Sequence, residues 1–381
     1  MTPQQQALVR RILESRYFNN TVILGRILQF VCDNTADTDR SLKEYEIALE
    51  VLQRPESFDP KLDPVVRVSM KSIRGRLRAY FENEGLHEDM CVSIPKGHYR
   101  AQFSRAERLP PSPATEEIRA SSVERFWQPY TTERSNLLLH TEPLFFRDGR
   151  GNYIRNLYLN DPSAYLHEIA DRLGCGTDSA QPCFHYLSAG EVHCMFSLMR
   201  LFHDLGKNLQ IVNSRLSSWN ETRHSNLILI GSTRTNRFMD TLQEQSDFVL
   251  MDEEIRNLSP REGEQTCYRG YRYRDGKLQR FSEYALITRR RGATPGASVT
   301  VIASNHGRAI EGAGNFLTLG GEIANLLRRM DLDRASVLPD RFQVLLRVDM
   351  IDLDDEVVNV EYVSHRISAP VTMLSPAVKR A

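Results

Sequence analysis

The chain has 381 residues, with 49 Lys and Arg against 49 Asp and Glu, 41% hydrophobic and 26% charged residues. That composition excludes global disorder, a collagen-like repeat and a disulfide-knot scaffold, and the length suits two or three domains. No apolar run approaches the ~18 residues of a membrane helix. The start, MTPQQQALVRRILESRYF, lacks a signal-peptide core, so a soluble, cytoplasmic protein is expected.

The first hundred residues read as helices followed by a hairpin. Gln4 to Ser15 places Leu8, Ile12 and Leu13 on one helical face, and Thr21 to Ala36 does the same with Ile23, Ile27, Leu28 and Val31. Ser41-x-x-Glu44 is a capping signature for a third helix running to about Leu52. Asp63-Pro64 opens a fourth, which reaches Glu84 and stops at Gly85. CVSIP and HYRAQF flank a Lys96-Gly97 turn and alternate as two short strands. Helices closed by a terminal hairpin make the winged helix-turn-helix plan.

Residues 1–108 hold 17 Lys and Arg against 15 Asp and Glu, so any excess of positive charge is local. It sits on the fourth helix, where steps of three and four align Arg67, Lys71, Arg74 and Arg78, with Val66, Ile73, Leu77 and Tyr80 opposite. A cationic stripe with an apolar back suits a helix lying in a major groove and neutralising phosphates. Lys96, His98 and Arg100 in the hairpin are placed to reach an adjacent groove or backbone. The competing reading is a solvated basic face on an ordinary amphipathic helix.

The stretch LKEYEIALEVLQRPESFDPKLDPVVRVSMKSIRGRLRAYFENEG, followed by VSIPKGHYRAQF, resembles a bacterial winged-helix domain found in front of sensor, cyclase-like or tetratricopeptide-repeat domains. Lys43-Glu44-Tyr45, Phe58-Asp59-Pro60, Asp63-Pro64, Val66-Arg67-Val68 and Pro95-Lys96-Gly97 carry the likeness, which covers about residues 18–103. The resemblance implies a winged-helix fold and binding to double-stranded DNA. Ser72-Ile73-Arg74-Gly75 departs from the family's Arg-Leu-Arg, and a helical glycine costs ~1 kcal/mol against alanine.

Residues 104–122, SRAERLPPSPATEEIRASS, read as an exposed linker between a unit at 1–103 and one at 123–381. In the second unit LQIV (209–212), NLILIG (226–231), FVLM (248–251), YALIT (284–288) and SVTVIA (298–303) are strand candidates. Helical stretches fall at 161–173, 189–205 and 312–330. Short buried strands among helices predict a mostly parallel α/β sandwich. FQVLLRVDMID and VVNVEYVSHRI add an antiparallel edge through an acidic connection, and YRGYRYR with LQRFSEYALI makes a hairpin about Asp275-Gly276.

Two loops there are ligand candidates. Gly231, Ser232, Thr233, Arg234 and Asn236 follow one strand, and Ser304, His306 and Arg308 follow another, at the strand ends where α/β sheets bind ligands. Their glycine, hydroxyls and cations suit a phosphate, a carboxylate or a nucleotide-like ligand; as tight turns with capping residues they would bind nothing. Neither loop fits a dinucleotide or Walker pattern, and no nucleophile elbow or metalloprotease motif is present. Cys175, Cys183, His185, His193, Cys194 and His203 are too tightly spaced for a zinc knuckle and read as structural thiols and ordinary histidines. Tyrosines alternating with arginines over 268–274 suit a half-buried hairpin better than a base-stacking platform. No cofactor, metal or catalytic residue is called for.

The leading expectation is a DNA-binding regulator whose α/β unit senses a small ligand or mediates assembly, with two copies on paired half-sites raising affinity. The alternative is an enzyme or effector acting on a nucleotide-like substrate, its N-terminal unit serving only as a docking module.

Overall fold

The computed structural model describes residues 1–368 apart from 20, 36–40, 83, 106–120, 148–150, 158, 161–180, 237, 243–245, 276–277 and 352–355. Most of the expected linker, the helix expected at 161–173, the acidic connection before Glu356 and the turn after Asp275 lie outside the described residues.

Four helices and a hairpin form the N-terminal unit. Helix α1 (Pro3–Glu14) starts on a reciprocal cap, in which Thr2 Oγ1 accepts from Gln5 N and Gln5 Oε1 accepts from Thr2 N. Helix α2 spans Val22–Thr35. Helix α3 (Glu44–Glu50) begins later than the Ser41 signature predicts. Ser41 Oγ accepts instead from Tyr99 N, holding the hairpin, and Glu46 takes the Lys43 N–H at 2.7 Å. At the start of α4 (Val65–Phe81) Asp63 Oδ1 accepts from Val65 N, and Val66, Ile73, Leu77 and Tyr80 are buried as their spacing requires. Strands β1 (Met90–Ser93) and β2 (Gln102–Arg105) pair antiparallel, β2 starting four residues beyond the expected His98.

The second unit is built on one mixed sheet. Its strands are β3 (Asn136–His140), β4 (Gln210–Asn213), β5 (Asn226–Gly231), β6 (Tyr271–Asp275), β7 (Leu278–Arg291), β8 (Ser298–Ala303), β9 (Phe342–Ile351) and β10 (Glu356–Ile367). The order is β10-β9-β7-β8-β5-β3-β4, with β6 on β7. Only β8, β5, β3 and β4 run parallel; β7, β9 and β10 are antiparallel. The expected mostly parallel sheet is therefore corrected to an evenly mixed one. YALIT belongs to the long antiparallel strand β7, and Phe248–Leu250 joins a separate three-stranded sheet with Glu254–Asn257 and Cys267–Arg269.

Alternate residues of the central strands serve two cores. Leu138, Ile228, Ile230 and Ile302 face helices α5 (Ala189–Asp204), α6 (Gly307–Phe316) and α7 (Gly320–Arg329); α5 matches the helix expected at 189–205, and α6 and α7 replace the single one expected at 312–330. Leu137, Leu139, Leu227, Leu229, Val299 and Val301 face the small sheet and Met239–Leu242. Burial on both faces explains why these strands read as unbroken apolar runs. Helices α5 and α6 meet at glycines, since a Cβ on Gly190 would stand 2.1 Å from Gly307 O. Among the described residues no helix is long and apolar enough to cross a membrane.

Strand β10 carries the N-terminal unit. Ile351 and Val358 are buried in the same core as Leu24, Ile27 and Ile73. Thr21 Oγ1 turns back to Phe18 O, and the first amides of α2 are taken by Glu356, whose carboxylate accepts from Ile23 N at 2.7 Å and Leu24 N at 3.3 Å. A carboxylate meeting a helix N-terminus gains from both its free N–H groups and its dipole. Burial pushes the Glu356 carboxyl upward, while those two amides and Arg76 oppose the shift. Replacing Glu356 by Ala should cost about 2 kcal/mol by stranding two helix amides. Glu356→Gln, which keeps one acceptor oxygen, should lose less than half of that. Urea midpoints of the two variants measure the difference; equal losses would contradict a capping role.

Candidate functional site

The outward face of α4 is cationic, though not with every residue expected of it. Arg67, Lys71 and Arg78 are exposed; Arg67 lies 3.5 Å from Glu44, while Lys71 and Arg78 line, with Gly75, a cleft that the second unit also borders. Arg74 is spent internally. Its guanidinium donates to Ile94 O, Pro95 O and His98 O at 2.8–2.9 Å, so it ties the hairpin turn to the helix and is withdrawn from the groove-facing set. Lys96 and His98 stand exposed at that turn beside Gly97, whose φ of +82° lies in the left-handed region open to glycine. Arg100 is half-buried.

The two predicted loops do meet, because β5 and β8 are neighbours and Ser304 N donates to Gly231 O. Most of their polar groups are already used. Asn236 is fully buried and its amide donates to Ile230 O and to Leu139 O, bridging β5 to β3. Ser232 and Thr235 bond each other, Thr233 lines a small apolar cavity, and Ser304 Oγ donates to Tyr284 O. His306 stands before α6 with its ring edge-on to Phe281 at 5.0 Å. Arg308 Nη1 donates to Glu311 at 2.8 Å and lies 3.1 Å from His193 Nδ1. Arg234 is half-buried, and its positive charge acts on Arg155 and Glu283.

The parallel strands reverse their order of connection between β3 and β5, which makes that pair the switch point of the sheet. Strand β3 and the residues after it escaped the sequence reading. Thr141 packs against Gly231, where φ is +125° and a Cβ would stand 2.5 Å from Thr141 Cγ2. Its hydroxyl and amide serve the buried Glu191 carboxylate on α5. On the same helix His193 Nδ1 lies 3.1 Å from the buried Glu311, joining α5 to α6. The one legible trace of β3 was its apolar Leu137-Leu138-Leu139 run between Asn136 and Glu142-Pro143. Cys194 is buried against Gly314, a packing thiol pushed upward by burial. The alternation over 268–274 is split between two sheets rather than forming one hairpin strand: Tyr268 is buried beside Phe248 and Tyr284 and Arg269 pairs with Glu254, whereas Tyr271, on β6, is exposed.

Comparison with protein-family models and with curated proteins finds no match.

Burial pushes the Glu191 carboxyl up from 4.5 to about 7, outweighing the opposing bonds from Thr141. The folded chain thus holds this proton more tightly than the unfolded chain does. The group's contribution is fully present below pH 4.5 and is lost as pH rises through about 7. The loss amounts to about 3 kcal/mol. Glu191→Gln, which does not titrate, should flatten that part of the stability profile between pH 5 and 8, as followed by urea denaturation. A variant with the wild-type slope would contradict the assignment.

Proposed function

We propose that this protein is a DNA-binding regulator. Residues 1–103 act as a winged helix with α4 in the major groove and the Lys96 turn against the backbone, and residues 123–381 form a ligand-responsive α/β unit. The observation that carries the reading is the α4 surface. Arg67, Lys71 and Arg78 project from one side of a helix whose other side is buried, and Gly75 lies among them with nothing within 4 Å of an added Cβ. A side chain missing at the centre of a cationic face lets a phosphate backbone or base edge approach the helix closely. Arg74 supports the same reading indirectly, since its bonds to three turn carbonyls hold Lys96 in a set relation to α4.

Lys71 and Arg78 both lack a protein partner among the described residues, so substituting them removes phosphate contacts without stranding an acid. The double variant Lys71→Ala/Arg78→Ala should bind a mixed-sequence duplex at least tenfold more weakly at 100 mM salt, by fluorescence anisotropy, with an unchanged melting temperature. Unaltered affinity would refute the assignment of α4 as the DNA-reading helix.

A further inference from the structure

A cleft of about 1080 Å³ separates α4 from the α/β unit. This volume is at the upper end of the range that small-molecule sites occupy. Four helices wall it: α4 through Lys71, Gly75 and Arg78, α5 through Phe196 and Arg200, α6 through Gly312 and Asn315, and α7 through Asn325 and Arg328. Gly75, where an added Cβ would meet nothing within 4 Å, leaves space that a side chain would fill, and β10 makes part of the floor.

The electrostatics of the cleft are lopsided. Six Lys and Arg side chains line it against three carboxylates. Two of the cations are committed: Arg76 donates to Tyr17 O beside the charges of Glu356 and Glu322, and Arg16 holds Glu84 at 2.8 Å. Arg200 is left at 3.8 Å from that same Glu84, and Arg328 has the neutral Asn325 amide oxygen. With Lys71 and Arg78, they make four cations from two units converging on one space. Glu82 and Asp204 line the same cleft, which leaves these four cations in excess over the carboxylates, and a local excess of positive charge favours a multivalent anion. Phe196, one turn before Arg200 on the same face of α5, is 67% exposed and lines the cleft. An uncovered aromatic face beside arginines is the arrangement that stacks a nucleobase.

We propose that this cleft binds a nucleotide bearing two or more phosphates, its base on Phe196 and its phosphates among Lys71, Arg78, Arg200 and Arg328. Because Lys71 and Arg78 also belong to the α4 face, a bound nucleotide competes with DNA; this second part rests on the DNA-binding reading. The ligand site thus lies between the two units, lined by neither residues 231–236 nor residues 304–308. His193 links the places, lining the cleft while its Nδ1 lies against Glu311 and Arg308.

Calorimetry of the full-length chain with ATP and with inorganic tripolyphosphate tests the site, and DNA anisotropy with and without ATP tests the competition. ATP is expected to bind about tenfold more tightly than tripolyphosphate, with Phe196→Ala and Phe196→Leu both abolishing that preference. Arg200→Ala/Arg328→Ala should weaken ATP binding about tenfold or more while leaving DNA affinity without ATP unchanged. Saturating ATP should weaken DNA binding by the wild type and spare the Arg200/Arg328 variant. No ATP binding at millimolar concentration, or equal binding of tripolyphosphate unaffected by Phe196, would overturn the nucleotide site. Loss of DNA affinity in the Arg200/Arg328 variant would overturn it too, making that wall a second DNA contact. If ATP binds as expected but the wild type binds no DNA, the site stands and the competition fails.

Discussion

The Glu356 carboxylate at the first amides of α2 is the contact on which the molecule's arrangement turns. It joins residues 333 positions apart in the chain and does so at the end of a helix, where unfilled N–H groups and the helix dipole both favour an anion. Ile351 and Val358 extend the same junction into the core of the N-terminal unit, so apolar burial and a directional cap act together. Arg76 adds a cation facing Glu356 from α4. Two helices of the N-terminal unit, α2 and α4, are thereby referred to β10, and the cleft beside α4 exists because of that placement.

Behind the junction, close helix packing carries position inward. Gly190 against Gly307 and Gly314 against Cys194 bring α5 and α6 close together, leaving no room for a Cβ at either glycine. Within that tight pair Glu311 gathers Arg308 and His193, and Glu191 gathers Thr141 from the end of β3. Arg308, on α6 just after β8, and His193, which lines the cleft, therefore meet on one buried carboxylate, while Glu191 and Thr141 form a separate polar cluster. A polar network of this kind ties its members to one geometry, because each partner lost leaves a costly unpaired group.

How much of this was legible in the sequence followed from range. Helices α1 and α4 were readable because their periodicity and caps are local, α2 from its periodicity alone, and strands β5 and β8 because six consecutive buried residues leave an apolar run. Strand β3 was missed although its Leu137-Leu138-Leu139 run is apolar, and β7 was cut short because only part of it reads as apolar. The Ser41 signature misled because Tyr99, 58 residues on, takes the serine hydroxyl that would have capped α3. Arg74 was grouped with the groove-facing cations because a helical wheel shows direction and not the carbonyls that wait there. The cleft was invisible for the same reason: its walls come from residues near 75, 200 and 325, and no pattern within a window joins them.

The salt dependence of duplex binding tests the central claim most directly. For full-length protein between 50 and 300 mM salt, contacts from Arg67, Lys71, Arg78 and Lys96 predict a plot of log affinity against log salt with a slope of about −3 or steeper. A flat plot, or no binding at the lowest salt, would contradict α4 as a phosphate-neutralising helix.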